Sequence, residues 1–449
     1  MNRRHFLKTG MAGTAAFATL QSHAFAAASD KPLRVALIGT GWYGKTDLLH
    51  LLQVEPAEVV ALCDVDRHML DAAAELVATR QPSKKQPAKY GDYRKLLAAE
   101  KPEIVLIATP DHWHCLPMVA ACKAGCDVYV QKPISYDVVE GQAMLAAARK
   151  YNRTVQVGLQ RRNTPHLLEA RDKFIKTGAL GKVAHVDIHS YFGATNAYPP
   201  TVPPPDYLDW DMYVGPAAWR DYNPAIHPRA WRAAREFSNG QIGDLCVHFF
   251  DVTRYFLGLG WPRSIASAGG RLMLDKSNVN TSDTQIAVFD YGDLEVVWTQ
   301  RNWGADPDPK YSWGATLYGD KGTLKLSVQS YDFIPKGKGT PEHADFLDER
   351  DKYPEDAAYK ETEPYAAPAT RRHMQNFLES RRAGQRPTSD IEEGYISTAC
   401  CILANLSQEL GRSLKWDPQS GRVAGDEEAN NRLSRAYREG WTHPTPDSI

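Results

Sequence analysis

The chain has 449 residues, a formal net charge of -1 and 43% hydrophobic residues, enough for two or more hydrophobic cores. A charge this close to zero argues against a nucleic-acid partner, because phosphate binding needs a local excess of Lys and Arg. No polybasic amphipathic stretch of the kind that adheres to membranes is present.

In chain order, residues 1–30 read as an address rather than as part of the fold. Arg3 and Arg4 precede His5-Phe6-Leu7-Lys8, no Lys, Arg, Asp or Glu occurs from Thr9 to Ser29, and Ala24-Phe25-Ala26 offers small residues for cleavage. Gly10, Gly13, Gln21, Ser22 and His23 make the run too polar for a spanning helix, which needs ~20 mostly apolar residues. The segment resembles a twin-arginine export signal, which predicts a folded periplasmic or secreted protein without a membrane anchor. Seven cysteines, an odd number in apolar contexts, do not read as a disulfide framework.

From residue 33 onward, short apolar runs at 33–39, 58–63, 104–108, 128–130 and 154–157 read as buried strands. Helical spacing marks 67–79, 93–99, 115–124 and 138–150 between them. This alternation predicts an α/β Rossmann domain, a parallel doubly wound sheet, over residues 31–157. Strand-like runs then follow one another at 183–192, 264–274, 284–291, 294–303 and 313–328, with one clear helix, 244–257, among them. Tyr291-Gly292-Asp293 and Gly319-Asp320-Lys321-Gly322 read as turns. Residues 158–449 are therefore expected to be an α+β domain with a large, mostly antiparallel sheet. The Pro-rich 198–205 predicts a loop, 335–368 a charged surface excursion, and 369–382 and 391–410 two closing helices.

Gly39-Thr40-Gly41-Trp42-Tyr43-Gly44 falls between the first strand and a helix. In that context the spacing predicts a dinucleotide site: the first glycine for a tight turn, the second for approach to the pyrophosphate, the third for helix–sheet packing. Asp64 ends the next strand. Its carboxylate would accept ribose hydroxyls and repel a 2′-phosphate, so NAD is expected over NADP, with Arg67 the one nearby cation acting the other way.

Further motifs extend the reading: Thr109-Pro110-Asp111-His112-Trp113-His114, Ala124-Gly125-Cys126-Asp127-Val128-Tyr129-Val130-Gln131-Lys132-Pro133, Leu208-Asp209-Trp210-Asp211, Val214-Gly215-Pro216 and Gly425-Asp426-Glu427-Glu428-Ala429-Asn430. With these, the chain resembles the glucose–fructose oxidoreductase / inositol dehydrogenase (Gfo/Idh/MocA) family, above all its exported bacterial branch. The resemblance implies sugar, glycoside or cyclitol substrates, a homo-oligomer, and a cofactor lying along Thr109, Pro110, His112 and His114. The family's Glu-Lys-Pro is Gln131-Lys132-Pro133 here. Its Asp-x-Gly-x-His-x-x-Asp appears as Asp244-Leu245-Cys246-Val247-His248-Phe249-Phe250-Asp251, where Cys246 in place of glycine is expected to narrow the approach to that helix turn.

By this resemblance Lys132 and His248 converge beside the nicotinamide. His248 takes the hydroxyl proton, Lys132 hydrogen-bonds the same oxygen, and Asp244, four residues before His248 on one helix face, orients the pair. Asp111, His112, His114 and Cys115 fit no standard zinc spacing, so no metal is expected. Arg161 or Arg162 is a candidate for substrate hydroxyls, with salt bridging the alternative. Among Trp42, Tyr43, Trp113, Trp210, Trp219 and Trp231, Trp231 is the choice for stacking on a sugar ring. The expected activity is oxidation at a sugar hydroxyl with a tightly held cofactor. The alternatives are a redox-neutral glycosidase or epimerase working through a keto-sugar, and a non-catalytic sugar-binding protein.

Overall fold

The computed structural model describes residues 31–193, 198–274, 278–359 and 362–449, so the signal-like segment 1–30 lies outside the described residues. β1 (Leu33–Ile38), β2 (Ala57–Cys63), β3 (Ala88–Tyr90), β4 (Ile104–Ile107), β5 (Asp127–Val130) and β6 (Val155–Val157) form one sheet in the order β3-β2-β1-β4-β5-β6. The pairings β1–β4, β2–β3, β4–β5 and β5–β6 are all parallel. β4 and β5 are buried at every position, as strands covered on both faces must be. Strand order reverses between β1 and β4, which opens a crevice beyond their carboxyl ends.

The helices flanking this crevice are capped differently. Asp66 caps Arg67–Arg80 through the amides of His68 and Met69, and Asp137 caps Val138–Lys150 through that of Glu140. Trp42–Val54 begins instead at Gly41, with no side-chain cap and no acid in its first turn. Its leading amides are left for another acceptor.

β7 (Val183–Ser190), β8 (Ser264–Gly270), β9 (Thr284–Asp290), β10 (Glu295–Arg301), β11 (Trp313–Gly319), β12 (Gly322–Ser327), β13 (Ser330–Pro335) and β14 (Glu342–Asp345) make the second sheet. Its order is β14-β13-β12-β11-β7-β10-β9-β8, antiparallel except for β7–β10. One face carries Val186, Ile188, Phe289, Trp298, Leu317 and Leu324, all buried. The helix Val247–Leu257 packs there, with the rings of Phe250 and Phe289 4.3 Å apart. The opposite face leaves Ile286, Tyr318 and Ile334 exposed.

Three expectations are corrected. The short strand β3 is absent from the sequence reading because only three residues, half-exposed, form it. Segment 335–368 is not wholly a surface excursion: β14 extends the sheet, and the turn Glu355–Ala358 buries Asp356 against Arg371, 2.6 Å away. Its charges suggested solvent because their partners, Arg371 and Gln53, lie outside the segment. Finally, Asp244 is not on the same regular helix as His248; it lies in a π-helical turn, Ile242–Cys246, that feeds into Val247–Leu257.

The closing helices, Ala367–Ala383 and Ile391–Leu410, return to the first sheet. Arg381 Nε donates to Asp127 at 2.8 Å, and Gln156 Nε2 to the His373 carbonyl at 2.7 Å. Residues 34–449 form one body. All seven cysteines are buried and unpaired. Among the described residues no helix is long and apolar enough to cross a membrane.

Candidate active site

The glycine turn is built by steric necessity at two positions and by open space at the third. Gly39 has φ +90°, and a Cβ there would stand 2.7 Å from the Ala108 carbonyl carbon. A Cβ at Gly44 would meet the Gly39 oxygen at 2.1 Å, whereas one at Gly41 would meet nothing within 4 Å. Thr40, buried, donates through its amide (2.7 Å) and hydroxyl (3.0 Å) to Asp64 Oδ2, and the Asp66 amide donates to Asp64 Oδ1 at 3.0 Å. Burial raises the Asp64 pKa while these donors oppose the rise. A carboxylate has about four acceptor sites, so Asp64 keeps capacity for a further donor. Arg67 turns away, donating to the Asp206 carbonyl at 2.6 Å.

A cavity of about 590 Å³ opens from this turn. Gly39, Gly41, Trp42, Tyr43, Asp64, Thr109 and Pro110 line it, as do Lys132, Arg161, Trp231, Asp244 and His248. Lys132 comes with the first group from the first domain, Arg161, Trp231, Asp244 and His248 come from the second, and both sets face one space. Thr40, Gly44, His112, His114 and Arg162 do not line it.

The reasons differ. His112 Nε2 meets the Tyr213 carbonyl at 2.9 Å, and burial pushes its pKa down to about 3. His114 lies between the carbonyls of Pro133 (2.7 Å) and Thr109 (2.8 Å), tying the end of β4 to the loop that carries Lys132. Arg162 is neither a cavity residue nor a surface one. Its guanidinium holds both oxygens of Asp251 at 2.7 Å, Glu393 at 3.0 Å and the Thr388 carbonyl at 2.9 Å.

Lys132 stands two residues past the end of β5. Its Nζ donates to Asp244 Oδ1 and to the Asp244 carbonyl, each at 2.6 Å. Arg232 Nε reaches Asp244 Oδ2 at 3.0 Å. These two cations overcome burial and hold the Asp244 carboxyl well below its ordinary range. His248 is pushed far down by burial first, then by the charges of Lys132 and Arg161, and so stays a neutral imidazole. Its ring stands edge-on to Trp313, centroids 5.5 Å apart. Asp111 is pushed up to about 7 by burial and then by the charge of Asp244.

Gln131, where the family pattern has glutamate, donates to Asp47 Oδ2 at 2.6 Å. Burial pushes Asp47 up to about 8, against the opposing hydrogen bond from Gln131. Cys246 does not narrow the cavity. It is fully buried and faces Cys401 in the core.

Of the aromatic candidates, Trp42, Tyr43, Trp113 and Trp231 line the cavity, and Arg232 covers one face of Trp231 at 4.2 Å. Trp113 is buried and donates to the Tyr213 carbonyl at 2.9 Å. Trp210 is stacked on Tyr213 in the core, and Trp219 is exposed outside the cavity. The sequence reading missed Trp313, Glu363 and Tyr365, which also line it. Trp313 shows in the sequence only as the first residue of a strand, and Glu363 and Tyr365 fall in the charged segment 335–368.

Residues 33–159 match the NAD-binding Rossmann fold of the GFO_IDH_MocA oxidoreductase family, and residues 172–416 match that family's C-terminal alpha/beta domain. The chain belongs to the Gfo/Idh/MocA oxidoreductases. It is 26% identical over 447 residues to a glycosyl hydrolase family 109 protein of Stenotrophomonas maltophilia, covering 91% of this chain and 92% of that one. It is 28% identical over 232 residues to levoglucosan dehydrogenase of Pseudarthrobacter phenanthrenivorans, covering 50% and 51%. Aldose-aldose oxidoreductase from Caulobacter crescentus has a similar fold, with TM-score 0.64 and 18% identity over 86% of this chain and all of that one. The residues of this Gfo/Idh/MocA chain fit a dinucleotide. Gly41 faces open space, the helix behind it begins uncapped, and a carboxylate ends β2.

Proposed function

We propose that this protein oxidises a ring hydroxyl of a sugar, glycoside or cyclitol, using NAD in preference to NADP. The observation that carries the reading is the convergence of Lys132, Asp244, Arg232 and a neutral His248 on the cavity that the glycine turn opens into. NAD, when bound, supplies the hydride acceptor. His248 takes the hydroxyl proton, and its depressed pKa keeps the lone pair free through the neutral range. Lys132 donates a hydrogen bond to the developing alkoxide. Asp244 is a positioning residue, because both of its oxygens hold cations in place. The carboxylate of Asp64, with Arg67 engaged elsewhere, supports NAD over its 2′-phosphorylated form.

A second reading has its own support. The family 109 relative aligns over nearly the full length of both chains. In a redox-neutral cycle the same residues would assist oxidation of a ring hydroxyl with its hydride held on the bound nicotinamide, loss of the glycosidic group across the acidified neighbouring C–H, addition of water in its place, and return of the hydride before release.

One experiment separates the readings. The protein is purified without added cofactor, and the reduced-nicotinamide absorbance is followed on addition of sugars and glycosides. Net growth of that band supports dehydrogenation. Product without net change supports the redox-neutral cycle. No response, even with added NAD, sinks both. Lys132→Ala and His248→Ala should each lower turnover by about 10²–10⁴-fold with cofactor still bound; near-normal turnover in either refutes its role. We also propose export on the Arg3-Arg4 signal, with the cofactor carried along rather than exchanged, and assembly into a homo-oligomer.

A further inference from the structure

Among the described residues no ion pair or hydrogen bond holds the buried guanidinium nitrogens Nε and Nη1 of Arg161. The residue lies in the turn Gln160–Asn163 after β6, is 3% exposed and lines the cavity. Its close neighbour is the ring of Trp313, 5.7 Å from Cζ to the centroid. Arg162 is the control: the adjacent residue, equally buried, fills its guanidinium with Asp251, Glu393 and Thr388. A guanidinium does not lose its proton in a protein, so an unpaired buried one requires an acceptor from elsewhere.

The surroundings say which kind. Lys132 and Arg232 share the single carboxylate of Asp244. His248 is neutral and feels Arg161 as well as Lys132. Glu363 also lines the cavity and acts on the same Tyr43 and Tyr365 hydroxyls as Arg161 does, but no ion pair or hydrogen bond joins Glu363 to Arg161 among the described residues, and one carboxylate does not balance Lys132, Arg232 and Arg161 once Asp244 is shared. The wall beside His248 therefore carries an excess of positive charge. Trp313 backs the guanidinium; Nε and Nη1 lie on its two different edges, and Nη2, common to both edges, completes with either one a fork for two parallel bonds to a carboxylate.

We propose that Arg161 receives a carboxylate on the substrate ring, so that the sugar oxidised here is a sugar acid of the uronate type rather than a neutral pyranose or cyclitol. This rests on the oxidoreductase reading and narrows it. Because Arg161 and His248 both stand against the ring of Trp313, at 5.7 and 5.5 Å, the carboxylate lies near the reacting carbon and not on a distant aglycone.

The test is calorimetry on the full, NAD-loaded chain with four probes: the methyl glycosides of glucose and galactose, and those of the corresponding uronic acids. At low salt at least one uronate should bind about tenfold or more tightly than its neutral counterpart, the scale of a charge-assisted pair. Arg161→Gln should bring that ratio near one, and Arg161→Lys should restore part of it. Equal affinities in the wild type, or a preference that survives in Arg161→Gln, overturn the inference. Glucose 6-phosphate is the remaining arm; binding tighter than that of the uronates overturns the carboxylate assignment. If Arg161→Gln does not fold, judged by its melting temperature and retained cofactor, the wild-type ratio decides alone. Oxidation of the neutral sugars with no preference for the acids overturns this inference and leaves the oxidoreductase reading standing. No binding of any probe and no nicotinamide response overturns both.

Discussion

At the scale of single residues, the three glycines of the turn carry different burdens. Gly39→Ala and Gly44→Ala would each place a methyl group within 3 Å of backbone, and Gly39 also needs a positive φ. Both should lower the melting temperature of the cofactor-free protein. Gly41→Ala meets no atom within 4 Å. It should leave that melting temperature unchanged and abolish cofactor retention; equal loss of stability in all three variants would contradict the assignment. Asp111 offers a second test. Its carboxyl is raised to about 7, first by burial and then by Asp244, against about 3.9 in an unfolded chain. Its favourable contribution is complete below about pH 4 and is lost as pH rises toward 7, because the unfolded chain releases a proton that the folded one keeps. Asp111→Asn should therefore gain stability relative to wild type between about pH 5 and pH 8. Parallel stability curves for the two proteins would refute the shift.

At the scale of elements, the turn Gln160–Asn163, the helix Val247–Leu257 and the helix Ile391–Leu410 are pinned together by one charge network, buried at Arg162, Asp251 and Arg254 and half-exposed at Glu393. Arg162 and Arg254 both reach Glu393, Arg162 holds Asp251, and Ser397 donates to Asp251 at 2.8 Å. Arg162→Ala leaves Asp251 buried without its guanidinium, and should cost about 3–5 kcal/mol in chemical denaturation. Binding of substrate by the variant that stays folded should change far less than its stability. The network also marks what the sequence could disclose. The glycine turn, Asp64, Lys132 and His248 were legible because each sits in a short local pattern. Arg161 and Arg162 are chemically identical neighbours. Which one faces the cavity depends on Asp251 and Glu393, 89 and 231 residues downstream. Likewise the expected role of Cys246 as a narrowing side chain failed because its orientation depends on Cys401, in another helix.

At the scale of the molecule, both sheets and their order of appearance were readable from the change of hydrophobic period. The return of the closing helices onto the first sheet was not, because long-range ion pairs such as Arg381–Asp127 leave no periodic trace. The open face of the second sheet bears on the proposed self-association. Ile286, Tyr318 and Ile334 stand on that face, 52%, 42% and 44% exposed. If a second copy covers it, Ile286→Glu should shift the protein toward monomer in light scattering without loss of melting cooperativity. An unchanged mass for the variant would remove this face from consideration. The Lys132–Asp244 contact has one more consequence, which concerns the order of events in folding. The lysine belongs to the first domain, and its carboxylate to the second. Either domain folded alone would lack the pair, so catalytic competence can arise only at the docking step that joins them. During refolding, activity should return after helical structure does, and a chain stalled with one domain formed would be chemically silent.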